Sequence, residues 1–199
     1  FQDSTNLDYI TGIDLSEFNT SNVTTMYGMF DGPSNISSLN LSTFDTSKVT
    51  DMSHMFRHKL NISTLDLSNF DTSHVTSMES MFRHMYGLTS FSLPRFNTSN
   101  VRNMSYMFED VKNLVNLDIS SFNTTIVQNM DGMFAHDAAL QTIRVSNNFV
   151  VSSVVSSNDM FAYTFQLVGQ NGTAYSNTNP SDKTYARVDI PGIPGYFWL

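Results

Sequence analysis

The dipeptide Met-Phe recurs along the chain at Met29-Phe30, Met55-Phe56, Met81-Phe82, Met107-Phe108, Met133-Phe134 and Met160-Phe161, with four steps of 26 residues and a last step of 27. A fixed period of this length restricts a chain to stacked architectures, because each repeat is one supersecondary unit that buries its apolar face only against the repeats on either side. Stacking of this kind builds long surfaces more readily than enclosed clefts. The period therefore favours binding over chemistry.

Alignment on Met-Phe brings up further apolar columns. One holds Ile10, Ile36, Ile62, Leu88, Leu114 and Leu140, a second Ile13, Leu39, Leu65, Phe91, Leu117 and Ile143, and a third Leu15, Leu41, Leu67, Leu93, Ile119 and Val145. Their L-x-x-L-x-L spacing predicts a bend entering a short strand. A corner follows, written Asn19-Thr20-Ser21, Asp45-Thr46-Ser47, Asp71-Thr72-Ser73, Asn97-Thr98-Ser99 and Asn123-Thr124-Thr125. Side chains of this kind bond nearby amides and so form turns and helix N-caps. Val23, Met26, Met29 and Phe30, at offsets 0, 3, 6 and 7, then predict about two helical turns with one apolar face. The fold class expected is α/β: a right-handed, leucine-rich-repeat-like solenoid of about six 26-residue coils over residues 1–162, each a short parallel strand plus a short helix. The sixth repeat is irregular, with Asn147-Asn148 adding a residue, and after Phe161 the period ends. Turn signals such as Asn171-Gly172 and Pro191-Gly192 predict a C-terminal capping segment of hairpin or extended strands over 163–199.

Charge and composition narrow the function classes. A net charge of -8 with only ten Lys plus Arg lacks the basic footprint of a nucleic-acid binder and opposes adhesion to anionic lipid. The absence of cysteine excludes disulfides and thiolate metal sites. No apolar run reaches the length of a membrane span, so membrane insertion of this segment is not expected. No phosphate-cradling loop, zinc signature or nucleophile elbow is present, and the chain is expected to be no enzyme and to need no cofactor.

The string from Leu65 through Asp71-Thr72-Ser73-His74-Val75 to Met78 and Met81-Phe82 resembles a known repeat, D-T-S-x-V-x-x-M-x-x-M-F. It is similar to the BspA-like leucine-rich repeat family of bacterial surface proteins, of the DUF285 type, over about residues 10–161. The tail, Tyr185-Ala186-Arg187-Val188-Asp189 and Pro194-Gly195-Tyr196-Phe197, is similar to what often follows such arrays. The resemblance implies secreted, wall- or membrane-anchored proteins of Gram-positive and related bacteria, several of them adhesins for host tissue or matrix. It carries over no catalytic residues. The expected role is an extracellular, cell-surface adhesin repeat domain that binds host glycan, mucin or matrix protein. The alternative is a passive spacer projecting other domains from the cell wall. The abrupt ends, at Phe1 and Leu199, lead us to expect a piece of a larger anchored protein, with a monomer favoured over self-association.

Two surfaces could take a ligand. Outward positions of the expected strands form ladders: Gly12, Ser38, Thr64, Ser90, Asn116 and Thr142; Asp14, Asn40, Asp66, Ser92, Asp118 and Arg144; and Ser16, Ser42, Ser68, Pro94, Ser120 and Ser146. This face reads as small, polar and mildly acidic, with no aromatic platform and carboxylates too far apart to share a metal. The loop after each Met-Phe varies more, reading Asp31, Arg57, Arg83, Glu109, Ala135 and then Gly32, His58, His84, Asp110, His136. Arg57, His58, Lys59, Arg83, His84 and Tyr86 are the candidate binding residues, with Met85 expected on the surface beside them. They could form an anion site for sulfated or uronic-acid glycans that strengthens as the histidines protonate, or a charge ladder pairing Asp31 with Arg57 and Arg83 with Glu109.

Overall fold

The computed structural model of the chain describes residues 13–32, 35–89, 91, 93 and 95–199. Equivalent residues of successive repeats lie side by side. The bridge Thr25↔Asp51 continues through Ser77, Asn103, Asn129 and Ser156, parallel at every step. The Met-Phe dipeptide is itself a rung of this stack: the Phe amide donates to the Met carbonyl of the next repeat, Phe30 to Met55, Phe56 to Met81, Phe82 to Met107 and Phe108 to Met133, each at 3.0 Å. Inside, the rings of Phe30, Phe56, Phe82, Phe108, Phe134 and Phe161 stack in one file, with centroids 5.6–6.0 Å apart and planes within 17°. All six are fully buried. Each stacked pair adds about 0.5–1.5 kcal/mol to what burial alone contributes.

The expected α/β solenoid, with a helix and a strand in every coil, is overturned. Among the described residues the only helical segment is a single 3-10 turn, Lys183–Tyr185, in the C-terminal segment. The cause lies in where the amides go. A helix directs each N–H to the carbonyl four residues back, whereas Met26, Gly28, Phe30 and Gly32 direct theirs to Asp51, Ser53, Met55 and Arg57 of the next repeat. Two positions per repeat also adopt left-handed backbone, which ends any helix. Gly28, His54, Ser80, Tyr106, Gly132 and Asp159 have φ of 53–59°, and His58, His84, Asp110, His136 and Tyr163 have φ of 60–63°. Between them run tight turns, such as Met29 N–H to the Met26 carbonyl and Asp31 N–H to that of Gly28. This chain of turns satisfies the 0, 3, 6, 7 spacing as well as a helix does, because Val, Met and Phe still face inward.

Strands are equally sparse. Among the described residues three form one parallel sheet in the order β1 (Asn116–Asp118), β2 (Thr142–Arg144), β3 (Phe197–Trp198), with Leu117 opposite Ile143 and Ile143 opposite Phe197. The equivalent residues of earlier repeats are Ser38-Leu39-Asn40 and Thr64-Leu65-Asp66, against Asn116-Leu117-Asp118 in β1 and Thr142-Ile143-Arg144 in β2. Ile10, Gly12, Ser90, Ser92 and Pro94, which belong to the expected strand columns, lie outside the described residues.

The polar corners hold the stack together at its edge. Thr20, Thr46, Thr72, Thr98 and Thr124 are buried, and each hydroxyl clasps one residue of the next repeat. The Thr72 hydroxyl donates to the Asn97 carbonyl at 3.0 Å and accepts from the Asn97 amide at 2.8 Å. Thr20 does the same with Asp45, Thr46 with Asp71, Thr98 with Asn123 and Thr124 with Val150. The Asx residue before each Thr accepts from the amide two residues on, as Asp71 does from Ser73 and Asn97 from Ser99. A second row of the same turns uses Asp14, Asn40, Asp66 and Asp118. The Asn-x-Ser/Thr triplets at 19, 40, 97, 103 and 123 are these turns written in sequence.

At the C-terminal end the fully buried Phe197 meets Phe134 and Phe161 edge-on, at 6.3 and 5.9 Å. Tyr196, also fully buried, stacks on Tyr185 at 4.8 Å. The buried Asp189 carboxylate accepts from the amides of Asn171, Thr173 and Gly195, so the turns of this segment converge on one anion.

Candidate functional site

The left-handed column after each Met-Phe runs along one edge of the stack. Left-handed backbone is tolerated best by Gly, Asn, Asp and His, and four of the five histidines, His54, His58, His84 and His136, sit at such positions. Their recurrence thus has a conformational cause that periodicity alone does not reveal. Along the edge the His58 and His84 rings lie 4.7 Å apart, and His84 lies 6.0 Å from Tyr86. Further on, His136 stacks on Tyr163 at 4.8 Å, and Phe165 meets Tyr163 edge-on at 6.0 Å.

The structure brings the six sequence-selected residues to this edge, but it pairs their charges. Arg57 grips Asp31 through Nε and Nη2. Burial pushes the Asp31 carboxyl up, yet the Arg57 hydrogen bonds and charge outweigh it and hold the group below the usual carboxylate range. His58 Nδ1 lies 3.4 Å from the same carboxylate. Lys59 is buried, donates to the Gly32 carbonyl and is lowered by that burial to about 8, with Asp31 opposing the shift. Arg83 Nε lies 2.5 Å from Glu109 Oε2, and there burial prevails over the Arg83 charge and raises Glu109. His84 is lowered to about 4, chiefly by burial and then by Arg83 and His58, with Asp110 opposing. Met85, expected on the surface, is fully buried in the core.

Tyr86 joins the next repeat instead of standing alone. Its hydroxyl donates to Asp110 Oδ2 at 2.8 Å, and the Lys112 ammonium lies 4.3 Å from its ring centroid and 3.7 Å from the same carboxylate oxygen. Asp110, Lys112, His136, Ala138, Tyr163 and Phe165 line an open groove of about 450 Å³. Sequence reasoning stopped at Met85-Tyr86 and missed this place. Tyr163 is the sixth member of the Gly32–His58–His84–Asp110–His136 column once the 27-residue step is counted, and that was the signal available. The strand face also carries an aromatic that was not expected: Trp198 in β3 pairs with Arg144, and with Thr142 they line a depression of about 210 Å³. Its indole N–H donates to the Val168 carbonyl at 2.8 Å.

The edge therefore offers exposed ring faces, a half-exposed ammonium and a largely covered carboxylate, which is an arrangement for recognition. Residues 1–92 and again residues 86–185 match the family described as Mycoplasma protein of unknown function, DUF285. The chain belongs to this family. No curated protein and no solved structure matches this DUF285 chain. Its two family matches overlap at residues 86–92 and together span residues 1–185. Among the described residues no helix is long and apolar enough to cross a membrane.

Proposed function

We propose that the chain is a non-catalytic binding segment of a bacterial cell-surface protein, an adhesin-type repeat of the BspA-like leucine-rich-repeat kind that engages host glycan, mucin or extracellular-matrix protein. The observation that supports this reading is the row of rings on the return-loop edge. Tyr163 and Phe165 are about half exposed, at 52% and 55%, beside a groove with polar groups of both signs. Adjacent exposed rings form a contiguous apolar patch, and such patches mark interaction surfaces. The test is a binding screen of the intact chain against mucin, collagen, fibronectin and a broad glycan panel at pH 4.5 and 7.5. Saturable binding to at least one of these surfaces is expected, and silence on all of them at both pH values rejects the reading.

A passive spacer is the second reading, and a specific observation favours it. In the central repeats Arg57 is matched by Asp31 and Arg83 by Glu109, so that stretch of edge presents compensated charge. A spacer predicts that exchanging both arginines for alanine leaves every measured interaction of the larger protein unchanged.

A further inference from the structure

We propose that the groove between Asp110 and Phe165 binds one pyranose ring of an uncharged glycan. This rests on the surface-binding reading and narrows it to a site and a ligand class. The first support is a residue out of place. The column that places Gly32, His58, His84, Asp110 and His136 in left-handed backbone ends in Tyr163, with φ of 62°. A bulky side chain in that conformation is uncommon, Tyr106 being the other described tyrosine that adopts it, and such strain concentrates at ligand contacts. The Tyr163 ring does not recover the cost by burial, since 52% of the residue stays exposed. Its amide is held by the Tyr175 hydroxyl at 3.0 Å, and its ring is held by His136 at 4.8 Å and Phe165 at 6.0 Å. The ring is thus fixed before any ligand arrives, which spares the ligand the ordering cost.

The second support is the chemistry around it. A pyranose has one face of C–H bonds, slightly positive, which suits the negative face of an aromatic ring. Its hydroxyls, set around the rim, need acceptors and donors. Asp110 gives Oδ2 to Tyr86 and leaves Oδ1 without a hydrogen-bond partner among the described residues. Lys112 supplies an ammonium half exposed to solvent. The Asp110 and Lys112 charges lie 3.7 Å apart and offset each other, so the groove offers no net attraction for a sulfate or a carboxylate. Its volume of about 450 Å³ falls within the range of roughly 300–1,000 Å³ found for small-ligand sites. The selectivity that follows is for neutral sugars, in contrast to the anionic ones that the Arg57 and Arg83 edge suggests from sequence.

The intact chain is titrated with lactose, N-acetyllactosamine and N,N′-diacetylchitobiose, and in parallel with 3′-sialyllactose and 6-sulfated N-acetyllactosamine, by saturation-transfer NMR and calorimetry. The expected result is binding of at least one neutral sugar, weakened about tenfold or more by Tyr163→Gly and by Phe165→Ala, and kept in Tyr163→Phe. Tyr163→Gly is the decisive variant, because glycine accepts left-handed backbone freely and the melting transition should hold while the ring is gone. Phe165→Ala decides alone if that variant does not fold. Neutral-sugar binding that survives both substitutions overturns the assignment, as does binding confined to the sialylated or sulfated probes. If mucin or a matrix protein binds while no neutral sugar does, the groove proposal falls and the surface-binding reading stands. If nothing binds, both fall together.

Discussion

Two files of rings run along this molecule, and they obey different rules. The inner file, Phe30 to Phe161, repeats one residue type six times and keeps its spacing within 0.4 Å. The edge file runs through His58, His84, Tyr86, His136, Tyr163 and Phe165, and its geometry changes from tilted pairs to stacked and edge-on ones. Each ring from Phe56 to Phe134 is pressed by a neighbour above and below, so a substitution there disturbs two interfaces. An edge ring has solvent on one side and answers only to the backbone beneath it. Regularity therefore marks where the repeat is under packing constraint, and irregularity marks where the chain is free to specialise.

The sharpest test of that contrast is the centre of the inner file. Phe82→Ala removes a fully buried ring that stacks on both Phe56 and Phe108, and it should cost about 3–5 kcal/mol. Denaturant unfolding with the slope held fixed reads the loss as a lower midpoint. A loss below about 1 kcal/mol would mean that the file is not what holds the repeats together.

The clasping threonines come next. Thr72→Val keeps the shape but strips both the donor and the acceptor from Asn97, leaving partly buried backbone groups unpaired. We expect a cost of about 1–3 kcal/mol, larger than for the exposed Thr76, whose hydroxyl makes one hydrogen bond at 3.1 Å to the Thr50 carbonyl. Equal effects at the two sites would remove the distinction between clasp and surface.

What could be read from the letters follows the same division. The 26-residue period, the inward Met and Phe columns and the turn-forming Asx corners were legible because each is a local rule repeated many times. The helix was not, because Val23, Met26, Met29 and Phe30 are placed inward equally by helical offsets and by a chain of tight turns. Only the destination of the amides separates the two, and that is a contact between repeats. The left-handed positions were masked by their own tolerance: Gly28, His54, Ser80 and Tyr106 share a conformation and no side-chain chemistry. At the edge, the pairing of Arg57 with Asp31 was visible as a charge ladder, whereas the burial of Lys59 and Met85 was not, since neither occupies an apolar column. The groove at Tyr163 was hidden by the 27-residue step, which moves Tyr163 and Phe165 out of register with the loops before them.

Acidification separates the edge from the core in a third way. His84 has its folded value near 4, below the ordinary 6.5, so between those limits the unfolded chain binds the proton more readily. Its contribution to stability is present above about pH 6.5 and is lost as the pH falls towards 4, by about 1–3 kcal/mol at most. Glu109 and the fully buried Asp137 are both raised by burial and act in the opposite sense, gaining stability as they protonate. The readout is therefore a difference. His84→Asn keeps a residue that tolerates left-handed backbone, removes the titration, and should melt with a shallower acid limb than the natural chain between pH 6.5 and 4.5. Superimposable limbs would show that His84 titrates as a free imidazole.

The smallest effect is expected where the edge file ends. In Tyr163→Gly the relief of left-handed strain opposes the lost contacts with His136 and Phe165 and the added freedom of the unfolded chain. The net change in unfolding free energy should stay within about 1 kcal/mol in either direction. Phe161→Ala, two residues earlier and in the inner file, should cost several times more. The pair places a ring deletion in each file within one turn of chain, under the same cap. If Tyr163→Gly destabilises as much as Phe161→Ala, the edge rings are packing residues like the inner ones, and their exposure no longer argues for a ligand.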